Sequence, residues 1–334
     1  MNNLYKIGIF GLIGIFLIAG CKKDKVGAYD TFQPTSVIIN YPSNFPDMYI
    51  PEDNLPTKEG IALGRALYYD KILSKNQDKS CSSCHDQTKA FTTYESNSLA
   101  HINLGWNDQY LWNGRFEGPL EKVMMFEVND FFETNIQLLN ENSNYRTLFK
   151  KAYGVDEITA KDIAYALAQF FRTLNSTDSK FDKFMRGEVN LTPEELDGYD
   201  IFYTERGDCF HCHGTVLFHD NFFGNNGLDP DPDAGLYTIT GNMNDYGKFK
   251  TPTLRNIELT APYMHDGRFE TLEEVVKFYS FGVNHDSPNL SPLMKYSLNG
   301  GVQLTQEETQ HLIAFLKTLT DYSFTSNPTL SNPN

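Results

Sequence analysis

Residues 81–85 read CSSCH and residues 209–213 read CFHCH, two copies of one spacing, C-x-x-C-H, in a chain of 334 residues. Two thiols about one helical turn apart, with an imidazole directly after the second, suit covalent attachment of haem: the sulfurs reach the vinyl groups and the histidine supplies the proximal nitrogen. A zinc pair does not need the adjacent histidine, and a thioredoxin-like redox motif does not need a second copy. Cys81, Cys84, His85, Cys209, Cys212 and His213 are therefore candidate anchors of two haems c, with His211 a spacer inside the second motif.

The flanks repeat as well. TKEGIALGRALYYD (57–70) precedes the first motif and TPEELDGYDIFYTERGD (192–208) the second, and each sets a glycine, Gly64 or Gly198, four residues before an aromatic, Tyr68 or Phe202. Thr192-Pro193-Glu194-Glu195 combines an N-cap, a first-turn proline and a capping-box acid, so a helix starts there and a domain boundary precedes it. From Thr159 to Leu174 the residues Ile163, Leu167, Phe170, Phe171 and Leu174 form one stripe; Thr305 to Leu319 opens on another capping box and turns Leu312, Ile313, Phe315, Leu316 and Leu319 inward. Few segments alternate with period two. The expected fold is mainly α, two c-type cytochrome domains at 55–188 and 189–325 with long loops, the haems at the core and sharing an interface.

Before the first domain, MNNLYKIGIFGLIGIFLIAGC has one early Lys and an apolar run from Ile7 to Gly20, too short to span a bilayer comfortably and ordered like an export signal. Ile18-Ala19-Gly20-Cys21 resembles a bacterial lipobox, which makes 1–20 a lipoprotein signal peptide and Cys21 the lipid-bearing residue. Residues 21–54, polar and interrupted by Pro34, Pro42, Pro46 and Pro51, read as a tether without a core of its own. The chain is then expected in the periplasm, anchored to a membrane surface. A formal net charge of −15 argues against nucleic acid as a partner.

With both motifs placed, further stretches resemble the bacterial di-haem cytochrome c peroxidase and MauG family over roughly residues 55–321: LGRALYYDKILS (63–74), LWNGR (111–115), FRTLNSTDSKFDKF (171–184) and FKTPTLRNIELTAPYMHDG (249–267). The resemblance implies a peroxide-reactive haem on His85 and an electron-transfer haem on His213, with Trp112 between them. It implies a catalytic Glu some twenty residues after that Trp. Glu133 lies at twenty-one and is preferred, with Glu127 the alternative. It further implies calcium held by the Asn97 side chain and the carbonyls of Thr260 and Pro262, ligands that suit a hard cation. His101 stands sixteen residues after His85, where some members carry a distal histidine; aligned backward from LWNGR it falls at an apolar position, so the first haem is expected open and His101 structural.

The second iron's other ligand is the remaining question. Thr271-Leu272-Glu273-Glu274 starts a short helix on which Leu272, Val275, Val276 and Tyr279 share one face. Ordinary family members carry a ligating Met fourteen residues after the HDG histidine; here that residue is Tyr279, as in the MauG-like branch. Met264 is the alternative ligand, read first as packing. A phenolate favours oxidised iron and a thioether reduced iron. The resulting expectation is a di-haem peroxidase reducing hydrogen peroxide with electrons from cytochrome c or another small redox protein. A MauG-like peroxide-dependent oxidase of a protein or small molecule and a non-enzymatic di-haem electron carrier are the alternatives, and a homodimer is compatible with either.

Overall fold

The structure, a computed structural model, describes residues 32–95 and 97–333. The expected signal peptide and Cys21 lie outside the described residues. No helix among those described is long and apolar enough to cross a membrane.

Helices α1 (Lys58–Tyr69), α2 (Leu120–Phe126), α3 (Ile136–Glu141), α4 (Ser143–Tyr153) and α5 (Ala160–Phe171) enclose the first hydrophobic core. The second is built by α6 (Lys180–Met185), α7 (Pro193–Phe202), and, after the short α8 (Phe210–His213) and α9 (Tyr237–Thr240) that add no side chain to it, α10 (Leu272–Phe281) and α11 (Gln306–Lys317); the short α12 (Tyr322–Thr325) follows. Among the described residues, strands are confined to two antiparallel pairs, β1 (Gln109–Tyr110) with β2 (Phe116–Glu117) and β3 (Phe223–Gly224) with β4 (Phe249–Lys250). Long loops carry the rest, as the sparse period-two signal implied. The capping boxes at Thr192/Glu195, Thr271/Glu274 and Thr305/Glu308 all form, each satisfying orphan N–H groups at a helix start.

The repeated glycines have one physical reason. A Cβ on Gly64 would lie 1.9 Å from the Ala166 carbonyl oxygen of α5, and one on Gly198 would lie 2.0 Å from the His311 carbonyl oxygen of α11. Each glycine lets the helix before a haem motif touch the backbone of the long helix that crosses it. Gly198→Ala should force α7 and α11 apart and destabilise the protein by about 1–3 kcal/mol, the usual cost of overpacking; thermal denaturation of the haem-loaded protein reads this as a lowered Tm.

Two features of the structure bear on the expected boundaries. Residues 33–54 are a strap packed on the body, with Ile39, Phe45 and Met48 buried. Trp106 Nε1 donates to the Pro46 carbonyl at 2.7 Å, and Asn54 Nδ2 donates to Glu121 Oε1 at 2.6 Å. These apolar and hydrogen-bonded anchors are what a free tether lacks. Single side chains also reach across the expected boundaries at 188/189 and 325: Phe181 sits in the second core, while Phe324 and Leu330 return to the first.

Candidate functional site

His85 and His213 are set by the same device. The Nδ1 atom of His85 lies 2.8 Å from the Phe91 carbonyl oxygen, and that of His213 lies 2.8 Å from the Phe218 carbonyl oxygen. A carbonyl only accepts, so Nδ1 carries the proton in both rings and Nε2 keeps its lone pair, the arrangement of metal-ligating histidines. Burial lowers the pKa of His85 to about 4 and also lowers that of His213, which keeps both imidazoles neutral. Cys81, Cys84, Cys209 and Cys212 are unpaired thiols. All six residues line one cavity of about 1180 Å³. The residues therefore fit two covalently attached haems in a shared chamber.

Trp112 lies in the wall of that chamber. Its carbonyl accepts from the Lys250 backbone N–H at 2.9 Å, and its buried Nε1 has no partner among the described residues. Lys250 is itself only 6 % exposed; its ammonium donates to the Thr251 carbonyl at 3.2 Å, and burial lowers its pKa to about 8. His219, buried with an unpartnered Nδ1, lines the same cavity. Lys250 and His219 carried no motif of their own. The only signal in the sequence was that Lys250 lies within FKTPTLRN.

The two candidate bases differ in placement. The Glu133 side chain is 59 % exposed, outside the cavity wall, and pairs with Lys75 Nζ at 2.6 Å. Glu127 lines the cavity instead, and burial, against the opposing charge of Lys79, raises its pKa to about 7. The reason is local. α2 widens after Phe126 into a π-helical turn, Glu127–Phe131, in which the Phe132 N–H donates to the Glu127 carbonyl at 2.9 Å. Such turns recur at functional sites because they move a side chain off the α-helical register, a displacement that counting residues from Trp112 does not reveal.

His101 stacks face to face on His85, ring centroids 3.4 Å apart at 17°, with its Nδ1 3.1 Å from the Tyr68 hydroxyl. Asn97 Nδ2 donates to the carbonyls of Met264 (3.1 Å) and His265 (2.9 Å), and Asn97, Thr260 and Pro262 all reach the cavity wall. His265 stacks on Phe249 with centroids 3.7 Å apart. Tyr279 and Met264 both face the chamber. The Tyr279 hydroxyl accepts from Asn226 Nδ2 at 3.1 Å, and burial, against this hydrogen bond, raises its pKa to about 12. Sequence reasoning missed Asn226, which lies in a loop with no periodicity to mark it.

The family model for di-haem cytochrome c peroxidase matches residues 58–190. The cytochrome c551 peroxidase of Nitrosomonas europaea is 33 % identical over 283 residues, covering 77 % of this chain and 79 % of that protein. The methylamine utilization protein MauG of Methylorubrum extorquens is 30 % identical over 289 residues, covering 80 % of each. Among solved structures, a MauG-like protein associated with microbial copper homeostasis is 34 % identical and superposes with a TM-score of 0.80 over 89 % of this chain and 99 % of that one. The chain belongs to the di-haem cytochrome c peroxidase and MauG family, and is an oxidoreductase acting on peroxide with two c-type haems.

Proposed function

We propose that the chain reduces hydrogen peroxide to water on the His85 side of the chamber, drawing electrons from a small periplasmic redox protein through the His213 side. The observation that carries this reading is the single cavity onto which both histidines open, with Trp112 and Glu127 in its wall. Haem supplies the redox-active iron that binds peroxide and stores oxidising equivalents. The residues do the rest. His85 and His213 would hold the irons through Nε2, and the four thiols would fix the macrocycles. Lys250, whose ammonium is buried at the cavity wall, would offer positive charge to an anionic group of the bound haem. Glu127 takes a proton from one peroxide oxygen and returns it to the other, the task of a base whose pKa lies near the working pH. Trp112, in the wall of the same chamber, would relay electrons between the two sides.

Tyr279 is the proposed second ligand on the His213 side, which links this chain to the MauG-like branch and supports a second reading, peroxide-dependent oxidation of a protein or small molecule. A calcium ion on Asn97, Thr260 and Pro262, a lipid anchor at Cys21, export to the periplasm and the domain division near residue 189 complete the proposal. The haem-loaded protein should consume peroxide with reduced cytochrome c as donor. Peroxide left untouched with every small redox protein offered would argue for an electron carrier. Consumption without a donor, accompanied by oxidation of an added protein, would favour the second reading. Tyr279→Met should raise the reduction potential of the second haem in a spectroelectrochemical titration, because a thioether stabilises ferrous iron and a phenolate ferric.

A further inference from the structure

Tyr279 and Met264 stand against the same nitrogen. Asn226 Nδ2 lies 3.1 Å from the Tyr279 hydroxyl and 3.7 Å from the Met264 sulfur, and all three side chains line the chamber onto which His213 opens. The backbone that carries Asn226 is anchored by the residue before it. Asn225 is buried, donates to Ser287 Oγ (2.9 Å) and the Pro288 carbonyl (2.7 Å), and accepts from the Gly227 N–H (2.8 Å).

Met264 packs with Tyr279 against the cluster of Leu228, Phe278 and Val283, but on an unusual backbone. Its backbone has φ of 72°, a left-handed conformation that costs a non-glycine residue free energy and collects at functional sites. The conformation is imposed from two directions: the Met264 carbonyl accepts from Asn97 Nδ2 at 3.1 Å and from the Gly267 N–H at 3.3 Å. The side chain next to Asn226 is thus held there by the first half of the molecule, through Asn97.

A hard phenol oxygen and a soft thioether sulfur beside one iron have opposite preferences, the first for the ferric and the second for the ferrous state. We infer that Tyr279 and Met264 are alternative ligands of the His213 iron, exchanged by its oxidation state, and that Asn226 is the positioning residue holding the unused one in reserve. This rests on the reading of Tyr279 as ligand. On reduction, one electron from the external donor enters the iron, the bond to the phenolate oxygen breaks, and that oxygen takes one proton from solvent and accepts from Asn226. The Met264 sulfur then donates a lone pair to form the new bond. Oxidation reverses each change. The consequence is functional: the second site accepts electrons as a thioether-ligated centre and holds oxidising equivalents as a phenolate-ligated one.

The test uses the haem-loaded protein oxidised and then reduced with dithionite. Proton NMR of the reduced wild type should show a methionine methyl resonance shifted far upfield by the haem ring current, the signature of an iron-bound thioether. Met264→Leu should abolish it and lower the second haem's potential, while leaving the oxidised spectrum unchanged. Asn226→Leu should bring thioether character into the oxidised protein, seen as its sulfur-to-iron charge-transfer band. Absence of the upfield methyl in reduced wild type, or its survival in Met264→Leu, overturns the exchange. Tyr279→Phe separates the two levels: an unchanged oxidised spectrum removes the ligand reading itself, whereas a changed one without the upfield methyl removes only the exchange.

Discussion

Glu127→Gln should lower the peroxide consumption rate by about 10²–10⁴-fold, the usual worth of a positioned acid–base group, with the haem spectra retained. The pH dependence follows from the same carboxyl. Its pKa is raised by burial to about 7, and a base works only when deprotonated. The rate constant for peroxide should therefore climb with pH through about 7 and level off above it, falling tenfold per unit below. The Gln variant should lose this limb. Glu133→Gln is the control: its carboxyl lies outside the cavity, paired with Lys75, and its loss should leave both the rate and the pH profile unchanged. Equal damage from the two substitutions would contradict the assignment.

Arg255→Ala should be the most destabilising single truncation in the second half. The guanidinium is 1 % exposed and holds Asp182 bidentately at 2.9 Å and 2.9 Å while also donating to the Val216 carbonyl. Its flat face lies over Phe45 and Phe218. Removing it strands a buried carboxylate, at a cost of about 3–5 kcal/mol, measurable by denaturant unfolding. Burial alone would raise the Asp182 pKa, but Arg255 and the Ser179 cap hold it below its ordinary 3.8. A carboxylate with a depressed pKa contributes stability that is fully present above 3.8 and is lost as pH falls through the folded-state value. Arg255→Ala should therefore narrow the gap between wild type and variant in acid.

What the sequence revealed and what it hid divide along physical lines. The haem anchors were legible because covalent chemistry demands fixed spacing, and the helix starts because capping needs particular side chains three residues apart. Gly64 and Gly198 were visible as a repeat, although their reason, a helix crossing at backbone contact, needed the partners α5 and α11. Glu127 was legible only as the alternative to Glu133, because the π-helical turn shifts the register that a residue count assumes to be regular. The strap at 33–54 was hidden because Ile39, Phe45 and Met48 are spaced by prolines and follow no helical or strand period. The return of Phe324 and Leu330 to the first core, and the Asn226 contact with Tyr279, are long-range pairings that leave no local trace.

The central claim is that one chamber holds two haems of unequal role, an open one on His85 and one ligated on both faces on His213. Electron paramagnetic resonance of the oxidised protein, before and after one equivalent of peroxide, tests it most directly. The account predicts one high-spin and one low-spin ferric signal, both losing intensity when peroxide is added. Two low-spin signals that peroxide leaves unmoved would contradict it.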